Sequence, residues 1–154
     1  MNLTVTGRSG RMGQAVIEAI EAEGNASLHS THDKGEDLPA ALEGSQGVID
    51  FTLPSLTDDL LEKALVAGTP LVIGTTGHSD EQRAAIAKAA ETLPIVFASN
   101  YSVGVNTLFW LTRHAARILG NETFDIEVTE MHHRHKVDAP SGTARTLLEV
   151  LNEE

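Results

Sequence analysis

The sequence predicts an α/β protein, a doubly wound parallel sheet of five strands followed by a smaller α+β segment. Two observations carry the first part. Short aliphatic and β-branched runs alternate with helical patterns, giving five strands and four connections. The first strand passes through a glycine turn, Gly7-Arg8-Ser9-Gly10-Arg11-Met12-Gly13, straight into a helix. A third observation places the break. After Asn100 the alternation gives way to one long helical stretch, one strand pattern and a final short helix. The boundary is expected near Tyr101 to Val103, with domains at 1–102 and 103–154.

The elements follow in order. Leu3 to Thr6 is a β-branched strand, and Met12, Val16, Ile17 and Ile20 form the apolar stripe of the helix after the glycine turn. Strand, turn and helix together are the context of a Rossmann-type dinucleotide fingerprint. The spacing here is Gly-x-x-Gly-x-x-Gly, with Ser9 where a second glycine is common. A tight βα turn without a ligand is the alternative. The second strand, Ala26 to Thr31, leads to Asp33, which lies 20 residues after Gly13. That is the spacing of a carboxylate that holds an adenosine ribose. Lys34 beside it would pair with a 2′-phosphate; an exposed Asp-Lys turn is the alternative.

Residues 36–46 read as loop or short helix, and Gly47 to Thr52 as strand three. A helix then opens at Pro54 and Ser55, with Ser55 and Asp58 as a capping pair. It buries Leu56, Leu60, Ala64 and Leu65, and stops at Gly68. Pro70 to Ile73 is strand four. Ser79 and Gln82 form a capping box for an alanine-rich helix to about Thr92, and Pro94 to Phe97 is strand five. Gly7, Asp33, Thr52, Gly74 to Thr76 and Asn100 all follow strand ends, where open parallel sheets bind ligands.

In the second part, Leu108, Leu111, Ala115, Ile118 and Leu119 recur at helical spacing, and Phe109 and Trp110 read as packing residues. Phe124 to Thr129 alternates like a half-exposed strand, and residues 143–151 read as helix.

Composition narrows the partners. The net charge of -11 argues against nucleic acid and anionic membrane surfaces. No apolar run approaches the ~20 residues needed to span a bilayer. Zero cysteines and an opening that reads as strand, not as a basic leader, fit a reducing, cytoplasmic setting. Aromatics make up only 4% of the chain, so the core must be aliphatic. Of the 11 basic residues, Arg8, Arg11, Lys34, Arg134, Lys136 and Arg145 fall in the stretches that read as ligand-facing.

The densest of these stretches is Glu130 to Ala144. His132, His133, Arg134, His135 and Lys136 are consecutive, and a helical pattern starts at Gly142-Thr143. Lysine supplies charge and histidine supplies an acid near neutral pH. The N–H groups at a helix start supply an anion seat. The set suits a small anion that must also receive a proton. A solvated basic loop is one alternative. A zinc site on His132, His133 and His135 is another, opposed by the two cations among the would-be ligands; no metal is expected.

These motifs together resemble the dihydrodipicolinate reductase (4-hydroxy-tetrahydrodipicolinate reductase) family of the diaminopimelate route to lysine. The family pattern Glu-x-His-His-x-x-Lys-x-Asp-x-Pro-Ser-Gly-Thr-Ala is present as Glu130 to Ala144. Gly-x-x-Gly-Arg-Met-Gly is present as Gly7 to Gly13, Gly-Thr-Thr-Gly as Gly74 to Gly77, and Asn-Tyr-Ser-x-Gly-Val-Asn as Asn100 to Asn106. The resemblance implies an NADPH- or NADH-dependent oxidoreductase. Gly7, Arg8, Ser9, Gly10, Arg11 and Met12 would cradle the pyrophosphate. Asp33 would take the ribose hydroxyls and Lys34 the 2′-phosphate. Gly74, Thr75 and Thr76, with Ala98, Ser99, Asn100 and Tyr101, would flank the nicotinamide. His132 would donate a proton with Lys136 as its catalytic partner, and His133, Gly142 and Thr143 would bind the carboxylate of a small dicarboxylate substrate. The family is expected to be homotetrameric, and its members continue beyond this chain. Residues 103–154 are therefore expected to be an incomplete α+β substrate and oligomerisation domain. A non-catalytic NAD(P)-binding remnant is the reading from another class.

Overall fold

The structure is a computed structural model that describes residues 1–120, 124–134 and 139–154. The chain forms two compact units, Met1–Ala98 and Ser99–Glu154.

The first unit is the doubly wound sheet. Its strands are β1 (Asn2–Thr6), β2 (Ser27–His32), β3 (Gly47–Asp50), β4 (Leu71–Ile73) and β5 (Ile95–Phe97). They lie in the order β2-β1-β3-β4-β5, and every neighbouring pair is parallel. Helices cover such a sheet on both faces, so its strands can be apolar throughout. Val5, Val48, Leu71 and Ile73 accordingly have almost no exposed surface. The strand order reverses between β1 and β3, which opens a crevice at their carboxyl ends.

Four helices connect the strands: α1 (Arg11–Ala22), α2 (Leu38–Leu42), α3 (Pro54–Ala67) and α4 (Asp80–Ala89). The short α2 is capped by Asp37, whose carboxylate accepts from the Ala40 N–H. The expected box at α4 forms in both directions, Ser79 with the Gln82 N–H and Gln82 with the Ser79 N–H. At α3 the expected capping pair does not form. Leu53 is the N-cap and no side chain caps it, because Pro54 takes the first helical position and places Ser55 inside the helix. The buried face differs from the expected one at one position. Leu60, Leu61 and Ala64 are buried, Leu56 packs against them, and Leu65 is exposed. Gly68 ends the helix in the left-handed conformation at φ 67°, as a C-terminal glycine does. Residues of α2, β3, α3, β4 and α4 close one aliphatic core around Leu42, Val48, Leu60, Leu71 and Ile73.

The second unit contains α5 (Val103–Leu119) and α6 (Gly142–Asn152), which pack on each other. Ser102 and Ser141 cap them through their hydroxyls. The strand expected at Phe124 to Thr129 is not formed, and both Phe124 and Ile126 are nearly half exposed. A strand must exchange backbone hydrogen bonds with a neighbour, and helices have no free ladder to offer. Among its described residues this unit supplies no second strand. Trp110 is likewise not a packing residue. It is 58% exposed and lies against His114, with ring centroids 4.0 Å apart. Phe109 is half-buried.

Candidate functional site

In the first unit the glycine turn places backbone where side chains would not fit. Gly7 has φ 80°, and its N–H donates to the His32 carbonyl at 2.8 Å, which ties the turn to the end of β2. A Cβ on Gly7 would stand 2.7 Å from the Phe51 carbonyl oxygen, and one on Gly13 only 2.0 Å from the Gly7 oxygen. The turn therefore sits directly on α1. Gly10 is the N-cap of α1 and no side chain caps the helix. Its first N–H groups thus face outward from the end of β1, the arrangement that receives phosphate. Arg11 and Met12 are exposed on that first turn.

Gly7, Ser9 and Gly10 line a cleft of about 630 Å³ with Asp33, Lys34, Glu36, Phe51, Thr52 and neighbouring residues. It occupies the crevice between β1 and β3. Asp33 stands just past β2 and accepts from the Ser9 N–H at 3.1 Å. Arg8 is expected to face the pyrophosphate, but its guanidinium turns to the end of β2. It donates to Glu36 through two nitrogens, at 2.8 and 2.5 Å, and to Thr31 at 3.2 Å, and its Nε is 3.6 Å from Asp33. Arg8 holds the Glu36 carboxyl below the ordinary range, and the Asp33 N–H donating to Glu36 adds to this. Lys34 is exposed on the cleft wall.

Behind the cleft lies a carboxylate that sequence reading passed over. Asp50 is 1% exposed and accepts from three hydroxyls, those of Thr6 at 2.6 Å, Thr52 at 2.7 Å and Thr75 at 2.6 Å. Thr75 also accepts the Thr52 N–H at 2.8 Å. One buried group thus joins the ends of β1, β3 and β4. An ionised carboxylate needs such donors when water is excluded. The signal was present in the sequence as an acid inside an apolar strand, Val48-Ile49-Asp50-Phe51. The resemblance implies a cofactor role for Thr75, yet its hydroxyl donates inward to Asp50. Gly74 lies against Phe51, where a Cβ would stand 2.1 Å from the ring, and Thr76 is half-buried. Ala98 follows β5, with its N–H on the Ile73 carbonyl. His78, also overlooked, is buried with Nε2 2.8 Å from the Thr57 hydroxyl and its ring edge-on to Phe97. Burial pushes its pKa down, against the opposing pull of the Asp50 charge.

The second unit holds the remaining candidates. Ser99 shares a hydrogen bond with Thr146 at 2.8 Å, and the Asn100 amide donates to the Thr143 hydroxyl at 3.3 Å. The segment before α5 is thereby tied to the first turns of α6. Tyr101 is exposed beside Val103 and Trp110. Glu130 accepts from the N–H and the hydroxyl of Ser141, the N-cap of α6, and one of its oxygens lies 3.3 Å from His132 Nδ1. The structure thus brings His132 together with the helix start at Gly142 and Thr143. His133 is exposed two residues after Met131. Lys136 and His135 lie outside the described residues. Among the described residues no group of three or more His, Asp and Glu side chains is placed to hold a metal ion.

Comparison with known proteins agrees along the whole chain. A family model described as dihydrodipicolinate reductase, N-terminus, matches residues 1–101, and one described as dihydrodipicolinate reductase, C-terminus, matches residues 104–154. The 4-hydroxy-tetrahydrodipicolinate reductase of Akkermansia muciniphila is 57% identical over 152 residues, covering 99% of this chain and 61% of that protein. The protein of the same name from Thiobacillus denitrificans is 44% identical over 166 residues, covering 94% and 62%. A solved structure, the dipicolinate-bound dihydrodipicolinate reductase from Paenisporosarcina sp. TG-14, matches with a TM-score of 0.75 at 27% identity, over 99% of this chain and 66% of that one. The chain spans about three fifths of the length of the curated relatives it matches. By sequence and by fold, it belongs to the dihydrodipicolinate reductase family.

Proposed function

We propose that the protein acts as a 4-hydroxy-tetrahydrodipicolinate reductase of lysine biosynthesis, using NADPH or NADH. The observation that carries the reading is the second unit's grouping of an imidazole, His132, with the start of α6 through Glu130 and Ser141. The substrate is a cyclic dicarboxylate that loses water, accepts a hydride and then needs a proton. An anion seat at Gly142-Thr143 with His133 would hold a carboxylate, and His132 would give the proton, with Lys136 as its partner.

The first unit fits a dinucleotide. Close backbone approach at Gly7 and Gly13 and the uncapped start of α1 suit a pyrophosphate, and Asp33 suits ribose hydroxyls. When bound, the nicotinamide supplies the hydride. Gly74 to Thr76 and Ala98 to Tyr101 are assigned to that end of the cofactor. Among the described residues no helix is long and apolar enough to cross a membrane. The proposal places the reaction in the cytoplasm and includes the family's tetrameric assembly.

The direct test combines cofactor titration with oxidation of the reduced nicotinamide while substrate is generated in situ. Substrate-dependent oxidation is expected. Binding without oxidation would reduce the protein to a nucleotide-binding module, and no binding would remove the reading altogether. Lys34→Ala tests cofactor choice. It should weaken NADPH by about 1 kcal/mol, the upper end for an exposed ion pair, since Lys34 is exposed, and spare NADH. Equal losses for both cofactors would remove Lys34 from the 2′-phosphate. Dipicolinate serves as a non-reacting probe of the second unit and should shift the Gly142 and Thr143 amide signals.

A further inference from the structure

We infer that Glu130 is the positioning residue of the proton donor: it holds the His132 ring with Nδ1 inward and leaves Nε2 to face the ligand. This rests on the reading of His132 as the acid. The argument starts from Ser141, which is 2% exposed. Its hydroxyl accepts the Ala144 N–H at 3.0 Å, and its own proton goes to Glu130 Oε2. Its backbone N–H donates to Glu130 Oε1 at 2.8 Å. Both carboxylate oxygens are thus held on the first residue before α6. The carboxylate cannot turn away without leaving the Ser141 hydroxyl proton and backbone N–H without these acceptors.

Fixed in this way, Glu130 presents Oε2 to His132 Nδ1 at 3.3 Å. An ionised carboxylate only accepts hydrogen bonds, and the Ser141 hydroxyl already donates to this same oxygen, Oε2. The nitrogen facing it must therefore carry a proton, which sets the ring tautomer. The acid is the imidazolium, which carries a proton on each nitrogen. Its Nε2–H bond breaks with the electron pair staying on Nε2, the enamine C=C pair forms the new C–H bond, and the enamine nitrogen becomes C=N and gives its own N–H proton to solvent. Nδ1 keeps its proton on Glu130 throughout, so the carboxylate orients the ring and is not itself protonated. The same bracket links acid to anion seat. Ser141 precedes Gly142 and Thr143, so a carboxylate held by their N–H groups is registered against the His132 ring.

The test is nitrogen-15 NMR of the histidine rings in the full chain, without substrate or cofactor, at a pH where the rings are neutral. The His132 signal is assigned by its loss in His132→Asn. We expect protonated Nδ1 and bare Nε2 in the wild type. Glu130→Ala should move the ring to the Nε2–H form that free imidazoles favour, and Glu130→Gln, whose amide oxygen still accepts, should keep more of the Nδ1–H form. A wild-type Nε2–H ring would overturn the inference. So would an unchanged ring in Glu130→Ala with α6 amides still protected. If Glu130→Ala loses α6, the wild-type and Glu130→Gln spectra decide. In turnover assays Glu130→Gln should lower kcat by about 10²-fold, the direction seen when an orienting carboxylate is removed from a catalytic histidine, with KM and cofactor affinity held. A raised KM with unchanged kcat would overturn a positioning role. Because the ring measurement needs no reaction, an Nδ1–H ring in a protein without turnover would support Glu130's hold on the ring and locate the failure in the proposed activity.

Discussion

The two units treat similar sequence patterns very differently. In the first, helical stripes of leucine and alanine meet a five-stranded sheet, and Leu60, Ala64, Leu71 and Ile73 lose essentially all contact with water. In the second, α5 carries an equally regular stripe, yet Ile118 is 82% exposed and Leu108, Leu111 and Leu119 are about half exposed. Only Ala116 on α5 and Ala144 and Val150 on α6 are buried apolar side chains among the described residues of that unit. Periodicity states which side chains share a face. Burial needs a surface for that face to meet, and a sheet offers two broad ones where a helix offers one narrow groove. The same contrast applies to the polar groups. Asp50 sits in a closed shell of hydroxyls that positions three strand ends, while His132 sits on a partly open bracket of one carboxylate.

The largest expected effect separates chemistry from binding. His132→Gln should lower kcat by about 10²–10⁴-fold and leave cofactor affinity unchanged, read from steady-state rates and a cofactor titration. Wild-type turnover would put the proton elsewhere. Next comes core packing. Leu60→Ala should destabilise the first unit by about 2–5 kcal/mol, whereas Ile118→Ala should stay within about 0.5 kcal/mol. Urea unfolding of the two variants measures this, and similar losses would show that α5 is covered in solution.

A glycine from each unit gives a smaller and opposite pair. Gly13→Ala forces a Cβ against the Gly7 carbonyl, and overpacking of this kind costs about 1–3 kcal/mol. In Gly104→Ala, near the start of α5, the nearest atom to the new Cβ is a side-chain oxygen at 3.7 Å, so the change should stabilise by about 0.5 kcal/mol through helix preference. Melting temperatures that fall in both variants would break the comparison. The smallest effect is on pH. His78 has a folded-state pKa lowered from 6.5 by burial, so the unfolded chain takes up the proton first. The stability it confers is fully present above the lowered folded value only where the unfolded ring is also neutral, and it is lost as pH falls below about 6.5 toward that folded value. His78→Asn should flatten this slope in pH-dependent unfolding, and an unchanged slope would remove His78 as its source.

Much of the fold was legible because local chemistry and tertiary context agreed. The alternation from Leu3 to Phe97 needed only side-chain period and glycine punctuation, and the five strands appear within a residue or two of their expected ends. The capping box at Ser79 is local in the same way. The failures are those where a distant partner decides. Phe124 to Thr129 alternates like a strand, but alternation cannot supply the neighbouring backbone that a strand requires. Trp110 looks like core by composition, yet nothing in its own helix says whether another surface covers it. At α3 Pro54 took the first helical position ahead of the Ser55 and Asp58 signal, and the packed core, which helical periodicity alone does not locate, covers Leu61 in place of Leu65.

The sequence by itself determined the doubly wound architecture and the family, since glycine spacing, strand ends and the Glu130 to Ala144 motif are all written in one dimension. Only the tertiary structure decided that Arg8 pairs with Glu36 at the end of β2, that Asp50 holds three strand ends together, and that Glu130 spans from Ser141 to His132. Each of these depends on side chains that sequence separates and folding brings within hydrogen-bond reach. Hydrogen bonds and ion pairs act over a few ångströms, so their partners exist only after the backbone has placed them.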